Sequence, residues 1–136
     1  MRYQVDEESP AYKLFLSAIG EEVRADDSSF TGYRGDLPSG AFSFYYLNAP
    51  QLEHELVYHV CSRLPYKKSD EQMIERKRHV GNDSVVVLFR NFEDCKEHPF
   101  EPEDFITSKF IKVYILLDVL EATEDDVSLH IRVFTR

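Results

Sequence analysis

The residues best suited to chemistry in this chain stand together at Lys77-Arg78-His79-Val80-Gly81-Asn82-Asp83, with Arg76 just ahead of them. Cationic and titratable groups here sit beside a single carboxamide. A carboxamide offers two N–H donors and a carbonyl acceptor, so it can hydrogen-bond a water or a phosphate oxygen without titrating. Held rigidly at a tight helix-to-strand junction, the amide of Asn82 would protrude and reach into another protein. Arg76, Lys77 and Arg78 would meet an acidic face of that protein. The same run also has a purely structural use. Basic residues compensate a helix C-terminus, Gly81 caps it in a left-handed conformation, and Asn82-Asp83 turn the chain into the next strand.

Other constellations carry less. His54 and His59 are five residues apart, about 140° around a helix and on opposite faces of a strand. A zinc-protease helix needs its histidines four apart, so no metal site is expected. The carboxylate pairs Glu21-Glu22, Asp26-Asp27 and Asp125-Asp126 fall in predicted loops or helix ends and read as solvated charge. No glycine-rich phosphate cradle is present, so the chain is expected to bind no nucleotide or other cofactor by itself. Nothing like a nucleophile elbow surrounds its Ser, Cys and His residues. Arg34-Gly35-Asp36 spells an adhesion tripeptide but reads as a turn in a polar loop.

The elements that must position the run follow from periodicity and end signals. Ser9-Pro10 reads as an N-cap with a first-turn proline. Tyr12, Phe15, Leu16 and Ile19 then recur at helical spacing, which predicts a helix over 10–19 stopped by Gly20. Residues 24–40 read as a loop, and 41–47 and 55–61 as strands, the second ended by Pro65. Ser69 and Gln72 have capping-box spacing, with Asp70 and Glu71 in the first turn, so a helix is expected over about 70–79. The apolar run at 84–89 predicts a central strand covered on both faces. After a polar loop at 91–101, Pro102 opens a short helix to about Ser108. Two strands close the chain: Ile111, Val113, Ile115 and Leu117 alternate in one, and Val127, Leu129, Ile131 and Val133 in the other. Residues 121–126 form the hairpin loop. The sum is an α/β domain over 1–136, a mixed central sheet with helices packed on it.

Composition sets the outer bounds. With 136 residues, 43% hydrophobic and with eight Tyr and ten Phe, the chain can bury a core. A net charge of −9 opposes general nucleic-acid binding and adsorption to anionic membranes. No apolar stretch approaches the roughly 20 residues of a membrane span, so no insertion is expected. Cys61 and Cys95 lie far apart and no signal-like start precedes them, which points to free thiols in the cytoplasm.

On these residues the chain resembles the Rap-GAP family, which includes the tuberin-type and Ral-directed GTPase-activating domains. The family's Lys-Arg-His-x-Gly-Asn-Asp run entering an apolar strand stands intact at 77–83, followed by Ser84-Val85-Val86-Val87-Leu88-Phe89. Tyr58-His59-Val60-Cys61-Ser62-Arg63-Leu64-Pro65-Tyr66 resembles the family's strand ending in a Leu/Met-Pro-Tyr turn. The helix at 12–20, Gly32-Tyr33-Arg34-Gly35, Pro99-Phe100 and the strand around 113–117 fit as well. Two departures stand out. Ser84 replaces the usual apolar residue after the motif. The family pattern also continues past the strand resembling 128–136, through a Val-Pro-x-Phe-Gly-Pro-like segment and more helix. The chain is therefore expected to be an incomplete domain.

The resemblance implies a trans-acting catalyst of GTP hydrolysis with no stand-alone activity. Ras-like proteins position the attacking water with their own glutamine. Rap lacks it, and this family of activators supplies an asparagine thumb, by position Asn82. The resemblance makes His79 the second catalytic-site member, holding the junction and contacting the partner. Lys77 and Arg78 bind the GTPase surface, and Gly81 and Asp83 support the turn. GTP and Mg²⁺ arrive on the partner, a small GTPase of the Rap, Rheb and Ral group with Rap favoured. A homodimer is compatible with the same reading. The alternative is a catalytically weak or inactive GTPase-binding or scaffold module with the same fold.

Overall fold

The computed structural model describes residues 8–24, 26–27, 43–64, 74–91, 100 and 108–135. The expected turn at Arg34-Gly35-Asp36, most of the loop at 24–40, Pro65, the capping box at Ser69 and Gln72, Cys95 and the short helix from Pro102 lie outside them. Among the described residues, two α-helices and six strands are defined: α1 (Pro10–Ile19), β1 (Glu21–Arg24), β2 (Ser43–Ala49), β3 (His54–Tyr58), α2 (Ile74–Asn82), β4 (Val85–Arg90), β5 (Val113–Ala122) and β6 (Val127–Thr135). The chain is α/β, as expected. Its strands are shared between two three-stranded sheets, one antiparallel and one mixed. Two compact units take the described parts of 1–8 with 15–76, and of 9–14 with 77–136.

The first unit holds the antiparallel sheet β1-β2-β3. Leu16, Phe44, Tyr45, Val60 and Leu64 are its buried apolar residues. Sequence periodicity misses β1, because Glu21-Glu22-Val23-Arg24 offers one apolar residue in four and lies on the sheet's edge. Its entry depends on Gly20: a Cβ there would lie 2.4 Å from the Tyr46 carbonyl oxygen across the β1–β2 pair. The strand expected over 55–61 ends at Tyr58, and Cys61–Arg63 instead form a 3-10 turn. Arg63 there binds two carboxylates, its Nε donating to Glu22 at 2.9 Å and its Nη1 to Glu8 at 2.8 Å. Partial burial opposes ionisation of Glu22, but the Ser43 hydroxyl and the Arg63 guanidinium outweigh it and hold its carboxyl below the usual range.

The second unit holds the sheet β4-β5-β6, with β4 parallel to β5 and β6 antiparallel to it. The first residues of α1 belong here. The Ser9 hydroxyl accepts the Tyr12 amide at 3.2 Å, the cap the sequence predicts, and the Tyr12 ring packs on Phe89 with centroids 5.3 Å apart. The apolar run of β4 does not make it the middle strand. Among the described residues β4 is an edge, with Val85 and Val87 exposed, and β5 is the covered strand. Tyr114, Leu116 and Asp118 share the inner face of β5; Tyr114 and Leu116 are fully buried and Asp118 is 5% exposed. Asp118 is gripped from both neighbours, by Arg90 Nε at 2.7 Å and Arg132 Nη2 at 2.6 Å. The burial of β6 does not follow the expected alternation: Val127 and Leu129 are half-buried on one face, Arg132 and Phe134 on the other, and Ile131 and Val133 remain 59% and 60% exposed.

Candidate functional site

The motif lies at the end of α2, whose residues divide by helical spacing into a buried and an exposed side. Arg76, His79 and Val80 stand at i, i+3 and i+4 and are each 8% exposed. Lys77, Arg78 and Asn82 are exposed. Arg78 and Asn82 are four residues apart, so the guanidinium and the carboxamide rise from the same helical face about one turn apart. Their distance along the chain is therefore their proximity in space. Lys77 is five residues from Asn82 and projects from a different direction.

Arg76 was expected to meet a partner together with Lys77 and Arg78. Its guanidinium instead lies inside the first unit and donates from Nε and Nη2 to the Leu64 carbonyl at 3.2 and 3.0 Å. An arginine so buried, with a fixed carbonyl acceptor, ties the start of α2 to the 3-10 turn rather than offering charge to solvent. His79 likewise faces inward. It can hold the junction, but its ring is not presented outward beside Asn82.

The left-handed cap expected at Gly81 is not found. Gly81 is helical and buried, α2 runs on through Asn82, and the only positive-φ glycine among the described residues is Gly20. The helix end is satisfied in another way. The Asp83 amide donates to Val80 O at 3.2 Å, tightening the last turn, and the Ser108 hydroxyl donates to Gly81 O. Ser84 O then accepts the amides of Lys112 at 2.8 Å and Val113 at 3.1 Å, which starts the β4–β5 ladder. Asn82 and Asp83 thus occupy a two-residue step between two anchored carbonyls. Sequence reasoning missed Ser108, which it read only as the end of a helix. A contact spanning 27 residues leaves no local signal.

The chemistry available here is that of a displayed amide beside the exposed guanidinium of Arg78. Among the described residues no group of three His, Cys, Asp or Glu side chains could hold a metal ion, and His54 and His59 are exposed and half-buried respectively. A cavity of about 450 Å³ in the second unit is lined by Ser9, Ala11, Asn91, Val119 and Glu124 among others, and Asn82 takes no part in it. Among the described residues no helix is long and apolar enough to cross a membrane.

Comparison with known proteins bears on this arrangement. Residues 2–136 match the Rap/ran-GAP family. The chain is similar to GTPase-activating Rap/Ran-GAP domain-like protein 3 of Gallus gallus, 34% identical over 114 residues, covering 80% of this chain and 12% of that protein. It is 35% identical over 130 residues to Signal-induced proliferation-associated 1-like protein 3 of Homo sapiens, covering 92% of this chain and 7% of that protein. The chain therefore spans a small part of the length of these relatives. The solved structure of the TSC2 GAP domain superposes with a TM-score of 0.74 at 25% identity, over 94% of this chain and 68% of that one.

Proposed function

The chain belongs to the Rap/ran-GAP family, and from that premise we propose that it activates GTP hydrolysis by a small GTPase through an amide lent in trans by Asn82. The observation that carries this reading is the display of Asn82. It is the exposed last residue of α2, one turn beyond exposed Arg78, on a step whose flanking carbonyls are both anchored.

The work proposed for Asn82 is positioning. Its carbonyl oxygen accepts a hydrogen bond from the attacking water, and its N–H groups donate to phosphate oxygen, so the water is held in line with the γ-phosphate. A carboxamide does not titrate, so it takes no proton at any step. Holding this geometry before the partner arrives is the reason for a rigid turn. His79 acts from inside as a positioning residue for the same turn. Lys77 and Arg78 supply the cations that meet an acidic GTPase surface. Arg76 drops out of that set, because its guanidinium is committed to Leu64. Nucleotide and Mg²⁺ come with the partner, for which Rap is favoured because it lacks an in-cis glutamine, with Rheb and Ral as the other candidates.

The test is single-turnover GTP hydrolysis by Rap, Rheb and Ral, each with this chain and with Asn82→Ala. Stimulation of one GTPase that vanishes in the variant is the expected result. A folded chain that stimulates none of the three, yet still binds one of them, would move the reading to a non-catalytic binding module.

A further inference from the structure

The two carbonyls that flank Asn82-Asp83 are held by one downstream segment. Ser84 O receives the main-chain amides of Lys112 and Val113, which any residue except proline would supply. Gly81 O receives the side-chain hydroxyl of Ser108. Of these three donors, only the last depends on residue type. The same hydroxyl oxygen also accepts the Phe110 amide at 3.2 Å, a second hold on its position.

We infer that Ser108 is a positioning residue for Asn82, fixing the last turn of α2 and with it the direction of the carboxamide; this rests on the proposed role of Asn82. The last carbonyls of a helix have no partner within the helix, and the end frays unless an outside donor takes them. Val80 O is taken by the Asp83 amide, and Gly81 O is the next in line. Glycine also gives the backbone more freedom than any other residue, so the peptide joining Gly81 to Asn82 is where an outside hold matters most. Ser108 touches neither water nor nucleotide in this scheme. It acts through the Gly81 carbonyl, one peptide away from the group it positions.

The experiment is single-turnover hydrolysis by GTP-loaded Rap (or the GTPase that responds) over a concentration series of this chain. The proteins compared are wild type, Ser108→Ala, Ser108→Thr, Asn82→Ala and the double variant, each with a thermal melt. A catalytic group displaced by about 1 Å can lose about 10²-fold in rate, so Ser108→Ala should lose about ten- to a hundredfold at saturation. Its half-saturating concentration should stay within about twofold of wild type, because no partner contact is removed. Ser108→Thr keeps the hydroxyl and should keep most of the rate. Adding Ser108→Ala to Asn82→Ala should cost nothing further, since the amide to be positioned is already gone.

A wild-type rate in Ser108→Ala, beside a dead Asn82→Ala, sinks the positioning role and spares the thumb. A loss that appears in the half-saturating concentration, or a further loss on the Asn82→Ala background, assigns Ser108 another job. Equal losses in the Ala and Thr variants with lowered melts reduce it to general stability. Full activity in Asn82→Ala, or no stimulation by wild type, overturns the thumb and the inference together.

Discussion

Replacing Asn82 with alanine should separate activity from stability more widely than any other single change in this chain. The side chain is exposed at the end of α2, and among the described residues its carboxamide makes no hydrogen bond. Surface changes of this kind stay within about 0.5 kcal/mol, and alanine is the better helix former. For a chain of this size that is about 2 °C in Tm. The kinetic side is far larger. If the amide replaces a group the GTPase lacks, an acceleration of up to ~10⁵ corresponds to roughly 7 kcal/mol of barrier. Losing one oriented donor at a site of developing charge costs at least ~10². The assay pairs single-turnover hydrolysis with a thermal melt of each protein. Loss of activity with an unchanged melt is expected. A variant that melts many degrees lower would show the turn to be structural, and one that keeps its rate would remove the amide from the reaction.

Charge reversal at Arg78 should raise the half-saturating concentration strongly at 0.01 M salt and little at 0.15 M, where screening shortens from ~30 to ~8 Å; a salt-independent loss refutes steering. Gly20→Ala must push β1 from β2, because its Cβ would meet the Tyr46 carbonyl at 2.4 Å. We expect about 1–3 kcal/mol of destabilisation, read from the urea midpoint, and an unmoved midpoint would contradict the close approach. Glu22 is held below its ordinary value of 4.5 by Ser43 and Arg63 against a burial penalty, so its contribution is full above that value and fades as pH falls through the folded one. Glu22→Gln should therefore lower Tm at neutral pH and flatten its acid limb; parallel Tm–pH curves would count against the pairing.

Local rules made part of this molecule legible. Ser9-Pro10 and the spacing of Tyr12, Phe15, Leu16 and Ile19 set α1. What failed were features decided by distant partners. The run Val85-Val86-Val87-Leu88-Phe89 announces a strand but not its place in the sheet, and β5 took the centre because both β4 and β6 pair with it. Gly81 has the composition of a cap, but Ser108 satisfies its carbonyl and the helix runs on. Arg76 reads like its neighbours Lys77 and Arg78, and only the Leu64 carbonyl sets it apart. At the candidate site the residue types and order were visible; which side of α2 each would occupy needed the fold.

The carboxylate of Asp118 also bears on how the second sheet avoids misassembly. A β6 strand slipped by one residue would keep its alternating pattern but present the opposite face, so Ile131 and Val133 would turn inward. Burying two aliphatic side chains that now lie more than half exposed would favour that wrong pairing. The same slip swings Arg132 outward and costs Asp118, 5% exposed, the 2.6 Å ion pair it makes with that guanidinium. Breaking an ion pair at a buried carboxylate is costly. It also swings Phe134 off the Phe100 ring, whose centroid lies 5.6 Å away. Hydrophobic patterning thus leaves two alignments of β6 open, and the Arg132–Asp118 pair and the Phe134–Phe100 contact select between them.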